Sequence, residues 1–378
     1  MFLFLKLGVI GFGGPAAHIA MMEDEVVRRR HWLSREKFLD LLGATNLIPG
    51  PNSTEMAIHV GFLRAGWAGL LVAGTCFILP AALIVTAVAW AYVGFGKLPE
   101  AAALFYGIKP VVIAVVLQAL WGLGRTAIKS GLLAVISLVA TVLNFAGINE
   151  LMVLFGAGFV AASIHRWNHR RDMAPPSPHG LFSGVLSASG VGTVGAATAT
   201  AFGLWPLFLF FIKVGSVLFG SGYVLLAFLR ADLVERWHWL TLAQLIDAVA
   251  VGQITPGPVF TTATFIGYLL AGPSGALIAT VGIFLPAFFF VAISGPLLSR
   301  LRNSQFAGAF LDGINVASLA LMTVVTYNLG RVALVDIFTL VLAVASAVAL
   351  IRFRVSSVWL VPSGGLAGLA VAALTGRI

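Results

Sequence analysis

Pro49-Gly50-Pro51, followed by Asn52-Ser53-Thr54-Glu55, interrupts one strongly apolar stretch, and Pro256-Gly257-Pro258 interrupts another at the corresponding place in the second half of the chain. Two prolines around a glycine remove two amide donors and crowd the preceding carbonyls, so no continuous helix passes through either triplet. Outward from the triplets, the two halves keep register. Phe4-Leu5-Lys6-Leu7-Gly8 and Phe12-Gly13-Gly14 return as Phe211-Ile212-Lys213-Val214-Gly215 and Phe219-Gly220-Ser221, at a constant offset of 207 from Lys6 to Lys213. Arg29, His31-Trp32-Leu33 and Asp40 return as Arg236, His238-Trp239-Leu240 and Asp247. After the triplets the offset becomes 206, which pairs Gly61 with Gly267, Pro80 with Pro286, Gly107 with Gly313 and Gly124-Arg125 with Gly330-Arg331. Similar apolar composition does not align Lys, Arg, His, Asp and Pro in this way. The chain is one motif written twice.

Its solvent is lipid. Of 378 residues, 60% are hydrophobic and 10% charged, against roughly half and a quarter in soluble domains. That excludes soluble enzymes, nucleic-acid binders and disordered chains. The excess of 23 Lys+Arg over 14 Asp+Glu marks loops held at a cytoplasmic face. The single cysteine, Cys76, excludes an internal disulfide and a cysteine metal cluster. Lys6 breaks the first apolar run and no small-residue cleavage site follows, so no signal peptide is expected. The abrupt start on a helix suggests a missing short N-terminal extension.

Windows of about 20 residues give apolar candidates near 2–22, 38–60, 64–94, 101–122, 127–146 and 149–164, repeated near 204–229, 241–268, 274–299, 306–329, 332–350 and 353–375. The domains read as a first repeat over 1–164, a linker over 165–203 rich in Arg, His and Pro, and a second repeat over 204–378. Residues 181–202 are mildly apolar and offer an alternative extra span. The second candidate of each half, with its Pro-Gly-Pro, is a broken span or a re-entrant hairpin. Positive charge favours re-entry. It gathers Arg28, Arg29, Arg30, Arg35, Lys37, Arg64, Arg125, Lys129, Arg166, Arg170, Arg171, Arg300, Arg302, Arg352 and Arg354 on one face. The expected fold is therefore an all-α polytopic membrane protein of two inverted-topology repeats, each with five transmembrane helices plus a re-entrant hairpin.

Inverted repeats with discontinuous helices are the architecture of secondary transporters, whose half-helix N-termini face anionic substrates at mid-membrane. Asn52, Ser53 and Thr54 read as N-cap residues that present amides and a positive dipole end to an anion. Thr261 and Thr262 hold the comparable stretch of the second half. A buried hairpin turn is the bland reading of either triplet; two in matched places favour a pathway. Lys6 and Lys213 are matched intramembrane lysines, expected to contact an anion or to pair with Asp40 and Asp247; snorkelling is the alternative for Lys6. Gly13, Gly14, Gly220 and Ser221 allow unwinding or close helix packing. His18, Asp40, Glu55 and Asp247 are candidate coupling residues; helix-start stabilisation is the simpler account of the two aspartates. Glu55 and His59 stand four apart, but two ligands do not make a metal site. Lys109 aligns with Asn315, and Asp312 with Tyr106, asymmetries open to a tuning role at the site that the sequence does not specify.

These residues resemble the chromate ion transporter family in its long two-domain form. The carriers are Phe4-Leu5-Lys6-Leu7-Gly8, Phe12-Gly13-Gly14-Pro15, His18, Arg28-Arg29-Arg30-His31-Trp32-Leu33, Leu47-Ile48-Pro49-Gly50-Pro51, Gly61-Phe62-Leu63-Arg64-Ala65-Gly66 and Phe219-Gly220-Ser221-Gly222-Tyr223. The resemblance implies a multi-pass protein of the bacterial inner membrane that exports chromate and confers resistance, with sulfate as the competing anion. A homodimer is compatible with it. One departure stands out: members often carry serine-like residues and a glutamine after the first triplet, where this chain has Glu55. A carboxylate there repels a dianion unless protonated, paired or turned away. No cofactor, metal or nucleic acid is expected. An intramembrane protease is disfavoured because Phe219-Gly220-Ser221-Gly222 lacks the nucleophile motif and no His-Glu-x-x-His occurs. An anion channel, or a carrier of sulfate or another oxyanion, is the main rival.

Overall fold

The computed structural model describes residues 1–11, 14–96, 98–172, 202–219, 222–302 and 304–375, and every regular element among them is helical. The first half comprises α1 (Phe2–Ile10), α2 (Gly14–Glu23, continued by a wider turn over Asp24–Arg29), α3 (Arg35–Thr45), α4 (Asn52–Phe95), α5 (Pro99–Ala127), α6 (Gly131–Phe145) and α7 (Glu150–Asp172). The second comprises α8 (Leu204–Val217), α9 (Leu225–Phe228, continued over Leu229–Arg236), α10 (Leu242–Ile254), α11 (Thr262–Arg302), α12 (Gln305–Ala333), α13 (Ile337–Ile351) and α14 (Ser357–Leu374). Local chemistry sets many of the starts. Ser34, Ser130 and Ser304 accept amides of the first turns of α3, α6 and α12. Thr241 with Gln244 and Asp336 with Thr339 form reciprocal capping boxes on α10 and α13.

Among the described residues, five stretches are long and apolar enough to cross a membrane: Asn52–Phe95, Pro99–Ala127, Val259–Ser294, Gln305–Ala333 and Ser357–Leu374. Leu83, Trp90, Leu138, Leu277, Phe289 and Trp359 expose large apolar side chains on the outside of the bundle. In water such a belt would drive aggregation; in a bilayer it faces acyl chains. The chain is a multi-pass membrane protein.

The first apolar stretch of each half is not the straight span expected over 2–22 and 204–229. Lys6 Nζ bonds Glu25 Oε1 at 2.8 Å although 19 residues separate them. In one continuous helix they would lie about 28 Å apart. The chain therefore doubles back between Ile10 and Gly14. Lys213 bonds Asp232 across the same separation in the second half, between α8 and the turn that follows α9. The glycine-rich breaks permit the reversal, and the matched ion pairs join the legs.

The second element of each half is also a hairpin. Helix stops at Thr45 and resumes at Asn52, and stops at Ile254 and resumes at Val259, so the Pro-Gly-Pro triplets are the breaks expected. After the first triplet α4 runs back to Ala65–Gly66, where a non-helical turn with Gly66 at φ +58° folds its long second arm against the first. Ala271–Gly272 repeats the turn in α11, with Gly272 at φ +61°. The arms touch where side chains are absent: a Cβ on Gly61 would lie 2.3 Å from the Gly69 carbonyl oxygen, and one on Gly267 2.2 Å from that of Gly275.

Around these hairpins the long helices pack symmetrically. α5 and α12 pack on each other, α5 also on α13 and α14, and α12 on α6 and α7. Lys129, just past the end of α5, bonds Asp312 near the start of α12, whereas Tyr106 near the start of α5 bonds Asp336 just past the end of α12. These two repeat-related helices run antiparallel. α7 continues to Asp172, eight residues past the expected repeat boundary at 164; residues 173–201 of the expected linker lie outside the described residues.

Candidate functional site

The hairpin tips meet in two pairs, each joining one half of the chain to the other. The Gly50 amide donates to the Leu218 carbonyl at 2.7 Å, and the Gly257 amide donates to the Gly11 carbonyl at 2.8 Å. Leu218 and Gly11 are the C-caps of α8 and α1. Each glycine is the sole amide donor of its triplet, because proline has none. Each acceptor is a carbonyl released where a helix ends. The tip of one half thus completes the broken helix of the other. Pro49, Gly50, Pro51, Pro256, Gly257 and Pro258 are all buried.

Gly50 and Gly257 have φ of +142° and +93°, backbone that side-chain-bearing residues rarely adopt. Space is equally restrictive. A Cβ on Gly50 would lie 2.2 Å from Glu55 Oε1, and one on Gly257 would lie 2.5 Å from Ala81 Cβ.

The capping expected of Asn52, Ser53 and Thr54 takes a different form. Pro51 is the N-cap of α4 and has no side chain able to bond its first amides. Asn52 opens the helix and donates instead to Asn46 Oδ1 at 2.6 Å. Ser53 and Thr54 are buried. The tip therefore presents amides of the first turn with no side-chain cap, and Pro258 repeats this at the next helical turn. Thr261 Oγ1 and Thr262 Oγ1 donate to the Pro258 and Val259 carbonyls, both at 2.8 Å, so their protons turn back into their own helix. Gly14 has φ +78° and open space at its Cβ position. Gly13, Gly220 and Ser221 lie outside the described residues.

Lys6 and Lys213 pair with Glu25 and Asp232, where one alternative has them pair with Asp40 and Asp247. Lys6 binds Glu25, which Arg29 and Arg30 also reach, and its side chain is half-exposed. Lys213 binds Asp232, which Arg236 meets at 2.7 Å. A helix-spaced reading places the lysines near the breaks. The reversal instead joins them to acids on the returning legs, and those acids keep the 207-residue register, a signal present in the sequence. Asp247 has other partners: Tyr92 donates to its Oδ2 at 2.9 Å, and Lys109 Nζ lies 3.3 Å from Oδ1. Asp40, its mate, is exposed on α3.

Glu55 sits in the first turn of α4, fully buried, its carboxyl packed over Gly50, and neither oxygen has a hydrogen-bond partner. His18 is buried with Nε2 2.8 Å from the Gly11 carbonyl, which it meets as donor, and it stands edge-on to Phe77. His59 is buried one turn beyond Glu55. The first half alone supplies these titratable groups to the tips.

The chromate transporter family model matches residues 1–162 and 205–369, both halves of the repeat and all four tips. The chain belongs to the chromate transporter family. This transporter is 34% identical to the chromate transport protein of Cupriavidus metallidurans over 97% of this chain and 91% of that one. It is 31% identical to the probable chromate transport protein of Synechococcus elongatus over 91% and 87% of the two chains. It is 32% identical to the chromate transport protein of Pseudomonas aeruginosa over 87% and 80%. No solved structure matches the transporter.

Proposed function

We propose that this transporter exports chromate across the bacterial inner membrane by alternating access between two inverted repeats, with the four tips forming the anion site and efflux conferring resistance. Inversion is supported by the antiparallel run of α5 and α12: a two-fold axis that maps a helix onto an antiparallel copy lies perpendicular to it, here in the membrane plane. With the first element of each half doubled back, inversion rests on this pairing and not on a count of crossings.

The single observation that carries alternation is the unequal burial of repeat-related helices. Ile246, Asp247, Ala250 and Gln253 of α10 are buried, and α10 packs on α5, α12 and α14. Their mates Leu39, Asp40, Gly43 and Asn46 of α3 are all exposed, and α3 packs on α4. Helices in matching repeat register, each keeping its aspartate, are closed in one half and open in the other. The open side is the one bearing Arg28, Arg29, Arg30, Arg35 and Lys37, which is cytoplasmic by the charge rule. A state open to the cytoplasm is the loading state of an exporter.

At the tips, uncapped amides of Asn52 and Ser53 and the positive end of α4 suit a tetrahedral dianion, with Pro49, Gly50, Pro51 and Thr54 shaping the first tip and Pro256, Gly257, Pro258, Thr261 and Thr262 the second. Gly13, Gly14, Gly220 and Ser221 contribute to the same anion site in this proposal. Lys6 and Lys213 act by bracing the hairpins and keeping the field positive. Glu55, His18, Asp40 and Asp247 remain the candidates for coupling. An inside-negative potential favours expulsion of a dianion by about 4.6 kcal/mol per 100 mV.

The test is radiolabelled chromate and sulfate flux from proteoliposomes under an imposed potential. Chromate efflux that saturates, rises with inside-negative voltage and exceeds sulfate efflux is expected. Flux at channel rates, or no voltage response, would overturn the proposal.

A further inference from the structure

The two repeats differ at one place that the tips do not use. Lys109 on α5, Tyr92 on α4 and Asp247 on α10 form a three-residue cluster between the halves. Asp247 is buried and the Lys109 side chain is 22% exposed. The cluster holds α10 against α5 on the side away from the open face. Repeat register assigns each member a mate: Asp40 for Asp247, Asn315 for Lys109 and Leu298 for Tyr92. The carboxylate is retained, but the cation and the phenol are not.

We propose that Lys109, Tyr92 and Asp247 form the latch of the external side, and that the missing cation at Asn315 makes the cytoplasmic side the one that opens at rest. This rests on the alternating-access reading and deepens it. If α3 closed on α12 as α10 closes on α5, Asp40 would meet the neutral amide of Asn315. Across that contact, a carboxylate that meets an ammonium and a phenol forms stronger, charge-assisted bonds than one that meets an amide. Exchange of the two conformations therefore gives states of unequal stability, with the external side closed in the favoured one. An exporter gains from this bias because its empty site faces the compartment from which substrate is taken.

The helices carry matched reporter positions. Gly43 on α3 is exposed with open space at its Cβ position, and its mate Ala250 on α10 is fully buried. Gly43→Cys and Ala250→Cys are placed singly in a Cys76→Ser background in proteoliposomes, and a membrane-impermeant maleimide reads accessibility. Position 43 should label rapidly and position 250 slowly. Lys109→Asn should shift the ratio of the two rates toward position 250 by about ten-fold, the equivalent of about 1.4 kcal/mol. Asn315→Lys should shift it the same way by adding a latch to the other side. The double variant should reverse the preference.

Asn315→Lys keeps the test informative if loss of Lys109 impairs folding. An unchanged ratio in a folded Asn315→Lys protein and in any folded Lys109→Asn protein would overturn the latch. Chromate itself separates the two ideas. If it changes the ratio while these variants do not, alternation stands and the latch fails; if neither chromate nor the variants change it, alternation fails as well.

Discussion

Lys213 reaches Asp232 across the reversal of the second half, and Asp232 is almost wholly buried, with a side-chain exposure of 3%. Without Lys213, the carboxylate keeps Arg236 alone among its two cationic partners. Leaving a buried charge wholly uncompensated costs about 3–5 kcal/mol, and Arg236 keeps the loss below that limit. We expect Lys213→Ala to lower the thermal midpoint in detergent by several degrees and to reduce chromate flux. The exchange Lys213→Asp with Asp232→Lys should recover part of both. Unchanged flux in Lys213→Ala would remove this lysine from the transport machinery.

Lys6 should matter less to stability than its mate. Its side chain is 50% exposed, and Glu25 keeps Arg29 and Arg30 when it is gone. A surface-like pair contributes about 1 kcal/mol or less. Parallel melts of Lys6→Ala and Lys213→Ala should separate the two, and equal losses would contradict the difference in burial.

The turn at Ala65–Gly66 offers an internal control on the hairpin geometry. Gly66→Ala meets open space and carries the strain of a backbone conformation that only glycine adopts readily, about 1–3 kcal/mol. Gly61→Ala instead drives a methyl group into the Gly69 carbonyl at 2.3 Å, where backbone must move. The second variant should express and melt markedly worse than the first, as read by size-exclusion profile and thermal midpoint. A well-behaved Gly61→Ala protein would mean that the arms are not folded together.

Glu55 should tolerate neutralisation. An ionised carboxylate without partners in a buried site costs several kcal/mol, whereas glutamine keeps the shape without the charge. Glu55→Gln is expected to melt at or above the parent temperature. If Glu55 couples protons to transport, the same variant should flatten the pH profile of chromate flux. A large fall in stability would reveal that Glu55 is paired with a cation in the folded protein.

At the tips, Gly50→Ala and Gly257→Ala combine strained backbone with overlap against Glu55 and Ala81. Backbone strain alone is about 1–3 kcal/mol. Both variants should lose chromate flux in liposomes, and they should do so together, because each glycine completes a helix end in the opposite half.

What the chain determines by itself is whatever follows from bonds and local sterics. Lipid as solvent follows from composition, and the breaks at 49–51 and 256–258 follow from proline's missing amide, whatever surrounds them. The duplication is likewise visible as matched Lys, Asp and Pro. The reversal between Ile10 and Gly14 is not legible in the chain, because glycines near an apolar helix permit a straight span as readily as a hairpin; contacts between the legs choose the hairpin. Glu25 and Asp232 stand in register with each other, but only that reversal brings them, rather than Asp40 and Asp247, to the lysines. The meeting of Gly50 with Leu218 and Gly257 with Gly11 belongs to tertiary structure alone, because donor and acceptor lie in different halves. The contrast between Asp40 and Asp247 divides between the two: α3 opens with Arg35, Glu36 and Lys37 where α10 is uncharged, a difference local to the chain, but the retained aspartate is exposed or sealed according to the partners it meets from the other half.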